Sequence, residues 1–302
     1  MYETKEEFIS SVTGELLNLN TIKEELKAEV MKELAENSKR QIEGFEFRKS
    51  KEEFSVFIGE NFGSFFFNKY NKTLDKFIVD GNYESAMAFR FLYLCSYMDY
   101  SNKLRFGSKF RDKDRGYMVE KDLQEVLGLS ERETRNTKNF LFSLGVLKID
   151  IEGVLFVDKM YSKKGQITES FNRESTRVFN CAIRKLYEES KAIEHKKLGL
   201  FIKLMPYINF KFNILCSNPK EEVEKLIKPM DMKEICEIAG YNKTQSSRLK
   251  KDLFNIKVNG KCVIGLFETG AGTSIVINPS IFYAGNNLEE LQWLNSIFRI
   301  VE

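Results

Sequence analysis

Residues Met118 to Ser143 lie over Met230 to Asn255 at a constant offset of 112 positions and without a gap, so one local fold is written twice in this chain. The superposition pairs Met118 with Met230, Lys121 with Lys233, Asp122 with Glu234, Leu123 with Ile235 and Glu125 with Glu237. It continues through Val126 on Ile238, Gly128 on Gly240, Leu129 on Tyr241, Ser130 on Asn242, Lys138 on Lys250, Leu141 on Leu253 and Phe142 on Phe254.

Each copy reads as a short helix with apolar positions three apart, one glycine, one apolar residue, a Ser or Asn that caps, and a second amphipathic helix. That is the pattern of a helix-turn-helix. Glycine suits the turn because the chain leaves the first helix in a left-handed conformation that side chains disfavour. Ser130 with Glu133 has the spacing of a capping box, and Asn242 stands ready to cap the second copy.

Behind each copy two short alternating runs flank a turn: Val146 to Ile149 and Val154 to Val157 around Asp150 to Gly153, then Val263 to Phe267 and Ser274 to Ile277 around Thr269 to Gly272. Ahead of each stands a long apolar helix, Ser85 to Met98 and His195 to Ile208. A helix-turn-helix followed by a hairpin predicts a winged helix. The expected fold is therefore mostly α with small antiparallel β wings: two winged helix-turn-helix domains plus an amino-terminal helical extension. The expected bounds are 1–80 for the extension, 81–168 for the first domain and 169–302 for the second, which carries a linking helix and a carboxy-terminal helix.

Within these segments, Thr21 to Ile42 reads as a helix that Gly44 stops, and Phe54 to Tyr70 as a buried strand. Phe171 to Tyr187 carries the apolar stripe of a packed linking helix, and Asn218 followed by Pro219 looks like a helix start.

If Thr134, Thr137, Leu141 and Leu144 face the core, Arg132, Arg135, Asn136 and Asn139 point outward. The equivalent outward set in the second copy is Thr244, Ser247, Arg248 and Lys251. Arginine bonds guanine bidentately and asparagine does the same with adenine, so these are the residue types that read base edges in a major groove. Phosphate positioning falls to the loop Lys103 to Arg115, which holds six basic residues including Lys109 and Arg111 against two acidic ones. Lys163 and Lys164 on the first wing, with Lys243 and Lys250, are further candidates. The expected partner is double-stranded DNA. A second copy of the chain, joined through the amino-terminal helix or through Asn287 to Ile300, and host replication or transcription proteins are further possible partners.

Charge agrees with that expectation. The formal net charge is +3, but residues 1 to 53 hold nine basic against thirteen acidic residues, which leaves the remainder about seven charges positive. The chain has 302 residues, enough for two cores, with 42% hydrophobic and 30% charged side chains, the balance of a folded domain. No apolar run spans a bilayer and the first residues are acidic and polar, so no membrane association is expected and the cytoplasm is the expected compartment. Five scattered cysteines give neither a disulfide framework nor a zinc knuckle.

Enzymatic chemistry finds little to stand on, and neither an enzyme nor a cofactor is expected. The one histidine, His195, precedes a helix and is expected at the surface or as a cap. A nicking initiator needs several metal-binding histidines beside a tyrosine. The glycines of Thr269 to Thr273 join two strands without the following Lys-Ser or Lys-Thr of a phosphate-cradling loop.

The second half, in the runs RVFNCAIRKLYEES, HKKLGLFIKLMPYINFKFNILCSNP and INPSIFYAG, resembles the tandem winged-helix replication initiators and regulators of plasmids and phages of low-GC Gram-positive bacteria. The resemblance covers about two thirds of the chain, and its motifs are structural rather than catalytic. It implies action at a replication origin, or else control of a phage or plasmid promoter. A protein-interaction scaffold built on winged helices is the alternative from another class, favoured for the second copy by a wing without basic residues.

Overall fold

The computed structural model describes residues 7–9, 16–107, 116–168, 174–258, 260–269 and 272–300. The chain divides into two compact units, residues 1–56 and 57–302. It is a mixed α/β fold in which helix outweighs strand and the sheets are small and antiparallel. Among the described residues no helix is long and apolar enough to cross a membrane.

The first unit pairs strands β1 (Glu7–Ile9) and β2 (Leu16–Asn18) ahead of helix α1 (Leu19–Asn61). The helix starts before Thr21 and runs straight through Gly44, so the expected stop at Gly44 is wrong. Glycine in an exposed helix interior lowers stability by only about 1 kcal/mol, which helix formers on both sides offset. The stop comes at Gly63 instead, where a left-handed φ of 73° lets the Gly63 N–H donate back to the Ile58 carbonyl at 3.0 Å. The expected strand from Phe54 shrinks accordingly, because its first residues belong to the helix.

In the second unit the duplication reaches far beyond the two segments that align in sequence. The first repeat runs β3 (Phe65–Lys69), α2 (Tyr70–Lys76), the hairpin β4 (Ile78–Val79) and β5 (Asn82–Tyr83), and α3 (Ser85–Cys95). It continues through a 3-10 turn into α4 (Leu123–Leu127), then α5 (Glu131–Ser143), the hairpin β6 (Leu147–Ile149) and β7 (Leu155–Val157), and β8 (Ser162–Lys163). The second repeat begins with β9 (Ser175–Phe179), α6 (Asn180–Glu188), α7 (His195–Leu198) and α8 (Leu200–Leu204). Then come α9 (Met232–Ala239), α10 (Ser246–Phe254), a short hairpin β10 (Lys257–Val258) and β11 (Lys261–Cys262), the long hairpin β12 (Ile264–Thr269) and β13 (Gly272–Ile277), and β14 (Phe282–Tyr283). Helix α11 (Leu288–Ile300) closes the chain.

The two repeats share one four-stranded sheet, ordered β8-β3-β9-β14, which has the same arrangement from either edge. Phe67 of β3 faces Arg177 of β9, and these same two residues face Lys163 of β8 and Tyr283 of β14 on their outer sides. Lys69 donates to the Tyr161 carbonyl as Phe179 donates to that of Ile281. A strand at residues 175–179 replaces the first part of the expected linking helix, which begins only at Asn180. The run Ser-Thr-Arg-Val-Phe is buried on both faces of the sheet, which an amphipathic stripe alone cannot distinguish from a helix.

An asparagine in each repeat locks the hairpin to the sheet. Asn102 and Asn213 are buried and left-handed, with φ of 70° and 53°. Asn102 donates through Nδ2 to the carbonyls of Val157 (3.1 Å) and Ser162 (2.7 Å); Asn213 does so to those of Ile277 (3.1 Å) and Phe282 (2.8 Å). Each thereby satisfies two carbonyls that burial would otherwise leave unbonded. Asn218 does not start a helix as expected: its side chain instead bonds the Leu226 carbonyl and the Lys228 N–H, closing a loop.

Helix α3 is apolar on every face apart from Arg90 and is accordingly buried, with Phe89, Phe91, Leu92, Tyr93 and Leu94 at its centre. It packs against α7, where Gly199 lies so close that a Cβ there would stand 1.9 Å from the Ser85 carbonyl oxygen.

Candidate nucleic-acid interface

Both turns between the paired helices are built as the sequence requires. Gly128 and Gly240 close α4 and α9 in left-handed conformations, φ 59° and 75°. Ser130 Oγ accepts from the Glu133 N–H at 3.3 Å, and Asn242 Oδ1 from the Thr244 N–H at 3.1 Å. The end of α4 is held from behind by two stacked tyrosines, Tyr93 and Tyr187, whose rings lie 3.7 Å apart. Tyr93 donates to the Val126 carbonyl at 3.1 Å and Tyr187 to that of Leu127 at 2.8 Å, occupying acceptors that the helix itself leaves open.

Helix α5 buries Thr134, Thr137 and Leu141, exposes Arg132, Arg135, Asn136 and Asn139, and ends on the half-buried cap Leu144. Arg132 and Arg135 make no ion pair among the described residues. Helix α10 buries Leu249 and Leu253 and exposes Ser247, Arg248, Lys250 and Lys251, with Thr244 exposed in the 3-10 turn ahead of it. Lys243 lies in the same turn. Arg248 Nε is 4.0 Å from Asp252, a carboxylate that Lys197 already engages at 2.7 Å.

A residue unforeseen in the sequence fixes α5 from inside. Arg90 of α3 is buried and donates to Thr137 Oγ1 at 2.9 Å, Glu133 Oε1 at 3.3 Å and His195 Nδ1 at 3.2 Å. One guanidinium thus ties α3 and α5 of the first repeat to α7 of the second. The Glu133 side chain is spent here and does not complete the expected capping box. The only hint in the sequence is a single charge inside the apolar run Ser85–Cys95.

His195 is correspondingly not at the surface. It is buried between the rings of Phe89 and Tyr187, at 5.6 and 4.4 Å. Burial, and then the positive charge of Arg90, lower its pKa from 6.5 to about 4, so it is neutral at pH 7 and accepts through Nδ1.

The phosphate-positioning residues fare less well. Lys163 and Lys164, expected on a first wing, do not lie on the hairpin that follows α5: it ends at Val157, and the chain has turned into the edge strand β8 by Ser162. Lys164 is half-buried with its Nζ 5.8 Å from the Tyr100 ring, and burial, then Arg184, lower its pKa. The hairpin tip itself is acidic, and Lys103 is neutralised there by Asp150 at 2.7 Å and Glu152 at 3.1 Å. Lys109 and Arg111, with Lys113 and Arg115, lie outside the described residues.

Cations missed by sequence reasoning sit beside the second turn. A cleft there is lined by Tyr83, Lys196, Lys203, Gly240, Gln245 and Arg248. Lys203 Nζ lies 5.4 Å from the Tyr83 ring, and burial holds its pKa below the usual lysine value. Lys196 and Lys203 are seven residues apart, two helical turns, which is the one sign of a shared face.

No family model matches the chain, and no match was found among curated proteins or solved structures.

Proposed function

We propose that each repeat is a winged helix and that the pair binds double-stranded DNA in a sequence-specific manner, with α5 and α10 entering successive stretches of major groove. The observation that carries this is the duplicated second helix. Each is fixed by a buried stripe behind a left-handed glycine turn, and each presents outward side chains able to bond base edges, with Arg132 and Arg135 unpaired by any described carboxylate. The acidic tip of the first hairpin repels phosphate, so affinity rests on the helices and on Lys196 and Lys203 rather than on the wings. Because the two repeats share one sheet, their second helices are held at a fixed spacing, so loss of either one weakens binding strongly. Neither a cofactor nor a catalytic step is part of this proposal.

Action as a replication initiator at a plasmid or phage origin is the proposed role, supported by the resemblance of the second repeat to such proteins; promoter control is the alternative. A protein partner for the second repeat is favoured by one observation, that β12 and β13 carry no basic residue.

The test is selection of bound duplexes from a random pool, followed by anisotropy titration of Arg135→Ala and Arg248→Ala. Each lost base contact is worth about 1–3 kcal/mol, or roughly 5- to 150-fold in affinity, confined to the base pair it reads. Unchanged affinity and selectivity in both variants sinks the proposal. Salt-insensitive binding argues for the scaffold, because phosphate contacts release counterions.

A further inference from the structure

Helix α1 carries large apolar side chains without cover within its own unit. Met31, Leu34, Ile42 and Phe45 are each more than half exposed. At 100° per residue they fall, with Ser38, within about 80° of arc, one narrow stripe. These four are symmetric in sequence about Ser38, Leu34 and Ile42 standing four residues to either side and Met31 and Phe45 seven; Val56, on the same face, has no apolar counterpart.

Charge along the helix is antisymmetric about the same point. Glu24 to Glu36 holds five acidic and two basic residues, whereas Lys39 to Lys51 holds five basic and two acidic. Two such helices side by side in parallel place acidic on acidic and basic on basic. Laid antiparallel about Ser38, each acidic half runs beside a basic half, Leu34 meets Ile42, and Met31 meets Phe45. Apolar stripe and charge pattern therefore select the same orientation.

We infer that α1 is a self-association surface, and that its occupant is the α1 of a second copy of this chain, antiparallel with Ser38 at the twofold. The inference does not depend on DNA binding by the second unit. Within the helix, Lys51 already covers the Phe47 ring with its Nζ at 4.3 Å from the centroid, and Lys49 reaches Glu53 at 4.0 Å. Both contacts are local and leave the stripe open.

Light scattering on the full chain tests the association. The expected mass is twice that of one chain, falling to that of one chain in the double variant Leu34→Glu, Ile42→Glu. Orientation is read by oxidative cross-linking in a background where Cys181, which is exposed, is serine. Leu34→Cys chains mixed with Ile42→Cys chains are expected to cross-link, and neither alone is expected to. Cross-linking of each variant only with itself gives a parallel pair and overturns the inference, as does a single-chain mass at every concentration tested. Circular dichroism of the double glutamate variant separates loss of association from loss of the helix: a dimer that persists with its helix intact also overturns it.

Discussion

Gly199→Ala is expected to destabilise the second unit although alanine is the better helix former. Gly199 has ordinary right-handed helical angles, φ −62° and ψ −18°, so the backbone welcomes a side chain, and the propensity gain is up to about 1 kcal/mol. The added Cβ, however, would stand 1.9 Å from the Ser85 oxygen, 2.4 Å from its carbonyl carbon and 2.8 Å from its Cα, all backbone atoms that no rotamer change can move aside. Real Cβ contacts essentially never fall below 3.0 Å, so α3 and α7 must separate by about 1 Å in a core that transmits strain. Overpacking of this kind costs about 3 kcal/mol, leaving a net loss of about 2 kcal/mol. In urea, at a slope of about 3 kcal/mol per molar, the unfolding midpoint drops by roughly 0.7 M. Gly59→Ala is the control: nothing lies within 4 Å of its Cβ, and it sits inside α1, so it is expected to be neutral or mildly stabilising. A Gly199→Ala protein as stable as the parent, beside that control, refutes the close crossing.

Other predictions follow from the same contacts. The His195 pKa lies near 4 in the folded chain and near 6.5 when unfolded, so the unfolded state takes up the proton first; stability falls as pH drops from about 6.5 to 4, by roughly 3 kcal/mol at the acid end. His195→Gln should flatten that slope in pH-dependent urea titrations, and an unaltered slope assigns it elsewhere. Asn102→Ala strands the carbonyls of Val157 and Ser162 and forces alanine to φ 70°, a loss of about 3 kcal/mol; Asn102→Gly, free of the backbone penalty, loses about 1 kcal/mol less. Equal melting of the two variants removes the backbone part of that account. Gly128→Ala has open space around its Cβ but a left-handed φ of 59°, so about 1 kcal/mol is expected from conformation alone, read by calorimetry.

Much of the second unit was legible in the sequence because the cues are local. A glycine that must turn left, a Ser or Asn that must cap, and the 3.6-residue spacing of Leu249 and Leu253 act within a few positions of themselves. The outward faces of α5 and α10 followed from that spacing, and each of their foreseen residues whose burial is described is exposed. What failed was whatever depends on a distant partner. Val178 and Phe179 carry apolar side chains compatible with helix or strand, and only pairing with Phe65 and Phe66 decides for the strand. Lys163 follows a hairpin in sequence, yet β3 draws it into the central sheet.

The sequence by itself determined that two helices joined by a left-handed glycine turn occur twice and which side of each second helix meets solvent, because capping, turn conformation and helical periodicity are set by near neighbours. Only the tertiary structure decided that the repeats share one sheet about Phe67 and Arg177, that Arg90 reaches across to His195, and that Gly199 must have no side chain. Those outcomes join residues about a hundred positions apart, where burial and the need to satisfy buried polar groups select the partner.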